Sequence, residues 1–111
     1  MANTLKRISG PAYLAAAAAD IYAPPAATLF TVIRHIHIAN ITAGAVTFTL
    51  YVGATGGSAA GTELAKAISI PANSAWDYYG NLKMLSTDFL SGLASAATSL
   101  TIMIEGEQGV V

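Results

Sequence analysis

The stretch that decides the fold is residues 29–52, which read LFTVIRHIHIANITAGAVTFTLYV. In each half, apolar side chains alternate with polar ones. This period of two is typical of a half-buried β-strand, because successive side chains point to opposite faces of the sheet. The inward positions that the alternation assigns are Phe30, Val32, Ile36 and Ile38 in the first half, and Val46, Phe48, Leu50 and Val52 in the second. Between the halves, Asn40 and Gly44 favour a turn, so the stretch predicts an antiparallel hairpin.

The rest of the chain repeats this pattern in shorter segments. Residues 63–70 and 100–105 alternate in the same way, and turn-forming residues separate them from further short apolar runs. Seven or eight short strands at close spacing predict an all-β fold, an antiparallel β-sandwich that is jelly-roll-like. The chain has 111 residues, which is the size of one domain.

The N-terminal residues differ from this pattern. Residues 1–11 show no strand periodicity and end at Gly10-Pro11, where proline interrupts strand pairing. They predict an extended N-terminal arm, with the single β-sandwich domain at residues 12–111. Lys6 and Arg7 lie in this arm and are two of only five basic residues. A positively charged extension is suited to reaching a neighbouring subunit.

The composition predicts protein partners. Charged residues make up 10% of the chain, against roughly 25% in a typical soluble domain. A surface so poor in charge predicts that other protein covers it, so we expect a homo-oligomer, a dimer or a trimer. The net charge is −1, which leaves no basic surface for nucleic acid. There is no cysteine, and therefore no disulfide within the chain.

Two further stretches have simple interpretations. Residues 35–62 contain no formally charged side chain, but six residues typical of turns and loops interrupt them, so they predict strands rather than a membrane helix. Residues 53–62, GATGGSAAGT, lack the spacing and the following helix of a phosphate-binding loop. We expect a plain loop there.

His35 and His37 are the candidate metal ligands. Two residues apart on a strand, they share a face and could form half of a zinc site. A site needs a third protein ligand, and no acidic residue has a sequence spacing that points at the pair. We therefore expect outward-facing histidines packed on Thr47 or Thr49, with no metal and no cofactor.

Arg34 occupies an inward position in the alternation of the first strand. A buried guanidinium requires a partner, because an unpaired charge in the core costs several kcal/mol. Two explanations remain open: the side chain lies near the strand's edge and reaches solvent, or it pairs with an acid. The acids considered are Asp77, Asp88 and Glu105.

Trp76, Tyr78 and Tyr79 form the aromatic cluster of the sequence. Core packing of Trp76, a protein interface and stacking on a sugar ring are the three uses considered. No nucleophile motif or defensible pair of carboxylates is present, so we expect no enzyme activity. The predicted protein-interface residues are Lys6, Arg7, His35, His37, Trp76, Tyr78 and Tyr79.

Three segments carry a resemblance to a known group: IYAPPAATLFTVIRHIHIANITAGAVTFTLYVGATGG, ISIPANSAWDYYGNL and SAATSLTIMIEGE. Together they resemble small β-sandwich virion proteins of tailed bacteriophages, over residues 21–105. Within that group the chain is similar to capsid-decorating cement or staple proteins.

The resemblance implies a jelly roll that binds the outside of the phage head across junctions between major capsid subunits. It implies no enzyme activity and no cofactor. The predicted function is thus a structural virion protein on the outer capsid surface, with the major capsid protein and its own copies as partners. A tail, neck or fibre-base component and a carbohydrate-binding sandwich are the alternatives. Neither a membrane nor nucleic acid is an expected partner.

Overall fold

The structure is a computed structural model that describes residues 4–24, 29–54 and 61–110. Within these ranges the chain forms eight strands and no helix. The strands are β1 (Thr4–Tyr13), β2 (Ala19–Tyr22), β3 (Leu29–Asn40), β4 (Val46–Gly53), β5 (Glu63–Ile70), β6 (Ala75–Met84), β7 (Phe89–Ala94) and β8 (Leu100–Val110). The described part of the chain accordingly holds no helix that could cross a membrane. Residues 55–60 of the glycine-rich loop predicted at residues 53–62 lie outside the described residues.

The strands form two antiparallel sheets of four. The first sheet has the order β1-β8-β3-β6, and the second has the order β2-β7-β4-β5. Chain neighbours therefore alternate between sheets at several points, which is the arrangement of an eight-stranded jelly roll. The predicted all-β sandwich and its strand number are confirmed. The predicted hairpin over residues 29–52 is wrong: β3 pairs with β6 and β8 in the first sheet, whereas β4 pairs with β5 and β7 in the second, so the β3–β4 connection crosses between the sheets.

The core lies between the sheets and is aliphatic apart from one aromatic ring and one methionine. Its fully buried side chains are Leu14, Ile33, Ile36, Ile38, Val46, Phe48, Leu50, Ile70, Met84, Leu90, Ala94, Leu100, Ile102 and Ile104. The alternation predicted for β4 is confirmed, since Val46, Phe48 and Leu50 are buried and Val52 packs against them. Burial of such side chains between two sheets is what stabilises a sandwich.

The predicted alternation is wrong in the first half of β3. A register shift between Ile33 and His35 places Arg34 outside the regular ladder with β8. Such a shift exchanges the inward and outward positions of the strand. Before it, Thr31 and Ile33 face the core and are fully buried, in place of Phe30 and Val32.

The same shift explains Arg34, which the sequence placed inward. Its side chain is about half exposed and forms an ion pair with Glu107 on the neighbouring β8. None of the acids named from the sequence is its partner in this ion pair. The guanidinium is therefore satisfied at the surface, and the core holds no arginine.

The predicted N-terminal arm belongs to the sandwich. Thr4–Tyr13 is extended, as expected, but it pairs with β8 as the edge strand of the first sheet. The proposed boundary at residue 11 falls inside this strand. Pro11 is tolerated because the strand lies at the sheet edge and the register shifts between Ser9 and Ala12.

Candidate functional site

The outer face of the first sheet carries the polar groups that could perform chemistry. His35 and His37 lie there on β3, which is flanked by β6 on one side and β8 on the other. The antiparallel register sets Asp77 of β6 opposite His37, and Glu105 of β8 opposite His35. Directly opposed residues have Cβ atoms about 5 Å apart, so their side chains meet.

A single carboxylate joins the two histidines. Oδ1 of Asp77 accepts hydrogen bonds from Nε2 of His35 at 2.7 Å and from Nδ1 of His37 at 2.6 Å. Nδ1 of His35 contacts Oε1 of Glu105 at 3.2 Å. Both ring nitrogens of His35 thus face carboxylates, an arrangement that favours the doubly protonated imidazolium.

The pKa values follow from these contacts. The hydrogen bond to Asp77 is the main cause that raises the pKa of His35 above its ordinary value; partial burial opposes it and Glu105 adds to it. The pKa of Asp77 is lowered, first by the hydrogen bond from His37 and then by that from His35. The side chains are 20% exposed for His35 and 34% for Asp77, so solvent reaches the cluster.

Tyr79 fixes the ring plane of His35. The two rings are stacked with centroids 4.4 Å apart and an angle of 2° between their planes. Tyr79 itself is 73% exposed. Its ring therefore lies over the site as an outward aromatic surface.

No metal was expected from the sequence because it offered no third ligand beside the histidine pair. The structure supplies one, since Asp77 contacts both histidines. Ligand atoms of His35, His37 and Asp77 all lie within 4.8 Å of one another. Contacts of Asp77 and Glu105 with the histidine pair could not be predicted from the sequence, where these acids were considered only as partners of Arg34. Both lie far from the pair along the chain, and only the register of neighbouring strands brings them close. Thr47 and Thr49, the neighbours that the sequence suggested, lie on β4 in the second sheet.

The basic residues of the first strand lie beside this site. Lys6 and Arg7 are exposed on β1, and Nζ of Lys6 donates to Oε1 of Gln108 at 3.0 Å. A groove of about 300 Å³ is lined by Lys6, Arg7, Arg34, His35 and Glu105. The structure therefore brings Lys6, Arg7, His35, His37 and Tyr79 to one face.

Trp76 and Tyr78 do not share that face. Both are half-buried and pack against the core, with the Trp76 ring centroid 4.8 Å from that of Phe48. Alternation along β6 separates them from the exposed Tyr79. The three aromatic residues consequently do not form one surface, although the core packing considered for Trp76 is confirmed.

Comparisons with known proteins bear on the fold. No protein-family model matches the chain, and no curated protein matches it. A solved structure described as "Bacillus endospore appendages form a novel family of disulfide-linked pili" is similar to it. The TM-score is 0.56 at 19% identity, and the match covers 98% of this chain and 88% of that one. The likeness shows a shared fold.

A second solved structure, of infectious bursal disease virus Gx strain, matches less well. Its TM-score is 0.46 at 11% identity. The match covers 96% of this chain, which spans 30% of the viral chain.

Proposed function

We propose that this chain is a structural virion protein that decorates the outside of a phage capsid and joins neighbouring major capsid subunits. The observation that carries the proposal is the absence of charge from the two central strands of the second sheet. β4 and β7 contain no charged residue along their whole length, while Asp20, Glu63 and Lys66 lie on the edge strands β2 and β5. An uncharged centre with a charged rim is suited to burial against protein.

The outward side chains of these two strands are known from the register. Thr49 lies opposite Leu93, and Tyr51 lies opposite Ser91. Because Ser91 is 0% and Thr49 9% exposed, the accessible part of the row is Tyr51 and Leu93. Thr47 continues the same row on β4. We propose that copies of the chain associate through this row.

The outer face of the first sheet is the proposed contact with the capsid. It holds Lys6, Arg7, Tyr79 and the histidine pair, and it is much richer in charge than the second sheet. Two different faces on one rigid sandwich allow several weak contacts to act together, which raises the overall affinity for a shell. Stapling neighbouring subunits would follow from this multivalency.

The fold-level likeness is compatible with a role in assembly. The similar solved structure concerns appendages that form disulfide-linked pili. This chain has no cysteine, so any assembly that it forms by itself must be held by non-covalent contacts. That requirement gives the uncharged central strands β4 and β7 their importance in the proposal.

A tail or neck role would use the same contacts, and copy number in the particle distinguishes it from decoration. Carbohydrate stacking has less support, because Trp76 and Tyr78 face inward and leave Tyr79 as the exposed ring of the three. Decoration is therefore the function that we propose.

The experiment compares Thr47→Lys with Asn81→Lys, two polar strand residues that gain the same charge on opposite sheets. Sedimentation velocity at micromolar concentration is measured for all three proteins. Co-sedimentation with capsids lacking the protein is measured for wild type and Thr47→Lys alone, because Asn81 lies on the proposed capsid contact beside His35 and Tyr79. Wild type and Asn81→Lys should form the oligomer, and Thr47→Lys should dissociate and bind capsids more weakly. A monomeric wild type that does not bind capsids would contradict the proposal.

A further inference from the structure

We propose that His35, His37 and Asp77 form a binding site for a divalent transition-metal ion, with zinc as the best match, and that Glu105 orients His35 within it. The inference rests on the outer face of the first sheet and does not depend on the proposed function. The cluster lies on the proposed capsid contact, but the metal site needs only its own three side chains.

The three donor atoms are close enough to share one ion. Zinc binds nitrogen and oxygen at about 2.0–2.2 Å, so tetrahedral ligand atoms lie about 3.4 Å apart. Oδ1 of Asp77 is now 2.7 Å and 2.6 Å from the two histidine nitrogens, at hydrogen-bond length. An outward shift of this partly exposed carboxylate lengthens both contacts toward that spacing. The two histidine nitrogens, which lie within 4.8 Å of each other, adjust by rotation of their side chains.

The donor types select the class of ion. Two imidazole nitrogens and one carboxylate oxygen suit zinc and its neighbours in the first transition row. Calcium and magnesium prefer sites built from oxygen alone. Three protein ligands leave a fourth tetrahedral position, which on this outer face is open to water.

The surroundings of His35 are those of a metal-bound histidine. A ligating imidazole usually donates its other N–H to a carboxylate, which fixes the tautomer and the ring orientation. Here Nδ1 of His35 faces Oε1 of Glu105 at 3.2 Å, while Nε2 points to Asp77. Stacking on Tyr79 holds the ring plane from a second direction.

The scaffold also favours a preformed site. The ligands come from two adjacent strands, β3 and β6, and the orienting carboxylate comes from β8 on the other side of β3. Sites on paired strands hold their side chains more firmly than sites on loops. Binding would exchange the N–H···O contacts to Asp77 for bonds to the ion. The proton on each coordinating nitrogen would leave to solvent or move to the other ring nitrogen, so zinc binding should release protons.

The test uses the full chain, stripped of metal with a chelator and titrated calorimetrically with zinc chloride at neutral pH. Wild type should bind one zinc ion per chain. His37→Gln and Asp77→Asn should abolish this binding, and Glu105→Gln should weaken it by roughly tenfold to a hundredfold. Asp88→Asn is the matched control: it removes the same charge in the β6–β7 turn, keeps an acceptor for the N–H of Leu85, and should bind as wild type does.

Zinc binding that is equal in wild type, Asp77→Asn and His37→Gln would overturn the proposal, as would the absence of binding to wild type. Cobalt substitution gives a second readout, a visible absorption band that wild type should develop and His37→Gln should lack. Circular dichroism establishes whether each variant is folded. Should Asp77→Asn fail to fold, His37→Gln decides the outcome, and zinc-induced shifts of the His35 and His37 ring protons in wild type decide it independently.

Discussion

The side-chain nitrogen of Asn40 lies 3.0 Å from the carbonyl oxygen of Ile70, so the end of β3 in one sheet donates a hydrogen bond to the end of β5 in the other. Asn40 is buried, and its amide also donates to the carbonyl oxygen of Gly44 at 2.8 Å. Its oxygen accepts from the backbone N–H of Thr42 at 2.9 Å. One side chain therefore organises the β3–β4 turn and joins the two sheets.

Asn40→Ala should destabilise the fold strongly, because it removes the buried hydrogen bond to the carbonyl oxygen of Ile70 and the acceptor of the N–H of Thr42. The expected loss of unfolding free energy is about 2–3 kcal/mol, measured by urea denaturation. Thr42→Val removes a hydroxyl of the same network and keeps the backbone N–H, so it should cost about 1 kcal/mol or less. Equal costs for the two variants would show that Asn40 has no special role.

Gly106 should not tolerate a side chain. It lies on β8 opposite Ile33, and a Cβ atom built there would be 2.2 Å from the carbonyl oxygen of Val32. Gly106→Ala should therefore cost about 3 kcal/mol, since the clash is with backbone that cannot move aside. At Gly44 a Cβ meets no atom within 4 Å, and Gly44→Ala should leave stability nearly unchanged. Similar denaturation midpoints for the two variants would contradict this packing.

The sequence predicted β4 well and β3 only in part, for a physical reason. Alternation identifies buried positions as long as the ladder is regular, and β4 keeps Val46, Phe48 and Leu50 inward. In β3 the register shift at Arg34 exchanges the two faces. Such shifts depend on the partner strands, which the sequence of one strand does not reveal.

The candidate site shows the same limit. The His-x-His pair was visible in the sequence, but Asp77 and Glu105 reach it through the register of β6 and β8. Edge strand β1 was missed because Gly10-Pro11 resembles a strand end, and proline is permitted where an N–H faces solvent. Pairing partners, rather than local patterns, determine both features.

The pairing of His35 with Asp77 should make the stability of the metal-free protein depend on pH. Lowering the pKa of Asp77 adds stability above the unfolded carboxyl pKa, and this is lost as the pH falls through the lowered value. Raising the pKa of His35 adds stability below the unfolded histidine pKa, and this is lost as the pH rises through the raised value. The loss of unfolding free energy caused by Asp77→Asn should therefore be largest at a pH between the pKa of Asp77 and that of His35.

Urea denaturation in the presence of a chelator measures this cost. Because the groups are partly exposed and solvent screens them, Asp77→Asn should cost at most about 1 kcal/mol near its maximum. The maximum should lie between the ordinary carboxyl and histidine pKa values, and the cost should decline as the pH rises through the raised pKa of His35. The same substitution in a His35→Gln, His37→Gln background should show no such maximum. A cost that is independent of pH in the parent would contradict the assigned hydrogen bonds.

Deleting residues 2–9 should destabilise the protein, because it removes most of edge strand β1 and exposes the edge of β8. Ile8, which packs against the core, is lost with it. The melting temperature should fall by roughly 10 °C or more. An unchanged melting temperature after the deletion would mean that β1 contributes nothing to the fold.

The role of Lys6 and Arg7 in binding requires substitutions that keep the strand. Lys6→Gln with Arg7→Gln should preserve the melting temperature, since both side chains are exposed. Binding to capsids should weaken and lose part of its dependence on salt, because two charges are removed from the proposed contact. Unaltered binding at low salt would exclude these residues from the interface.

Electron cryo-microscopy of virions with and without this protein tests the proposed function most directly. The account predicts jelly-roll density on the outer capsid surface, across junctions between major capsid subunits, in copy numbers comparable to those of the capsid protein. This density should be absent from particles produced by a phage that lacks the gene for this protein. Density confined to the tail or neck, or identical capsids in the two samples, would contradict the account.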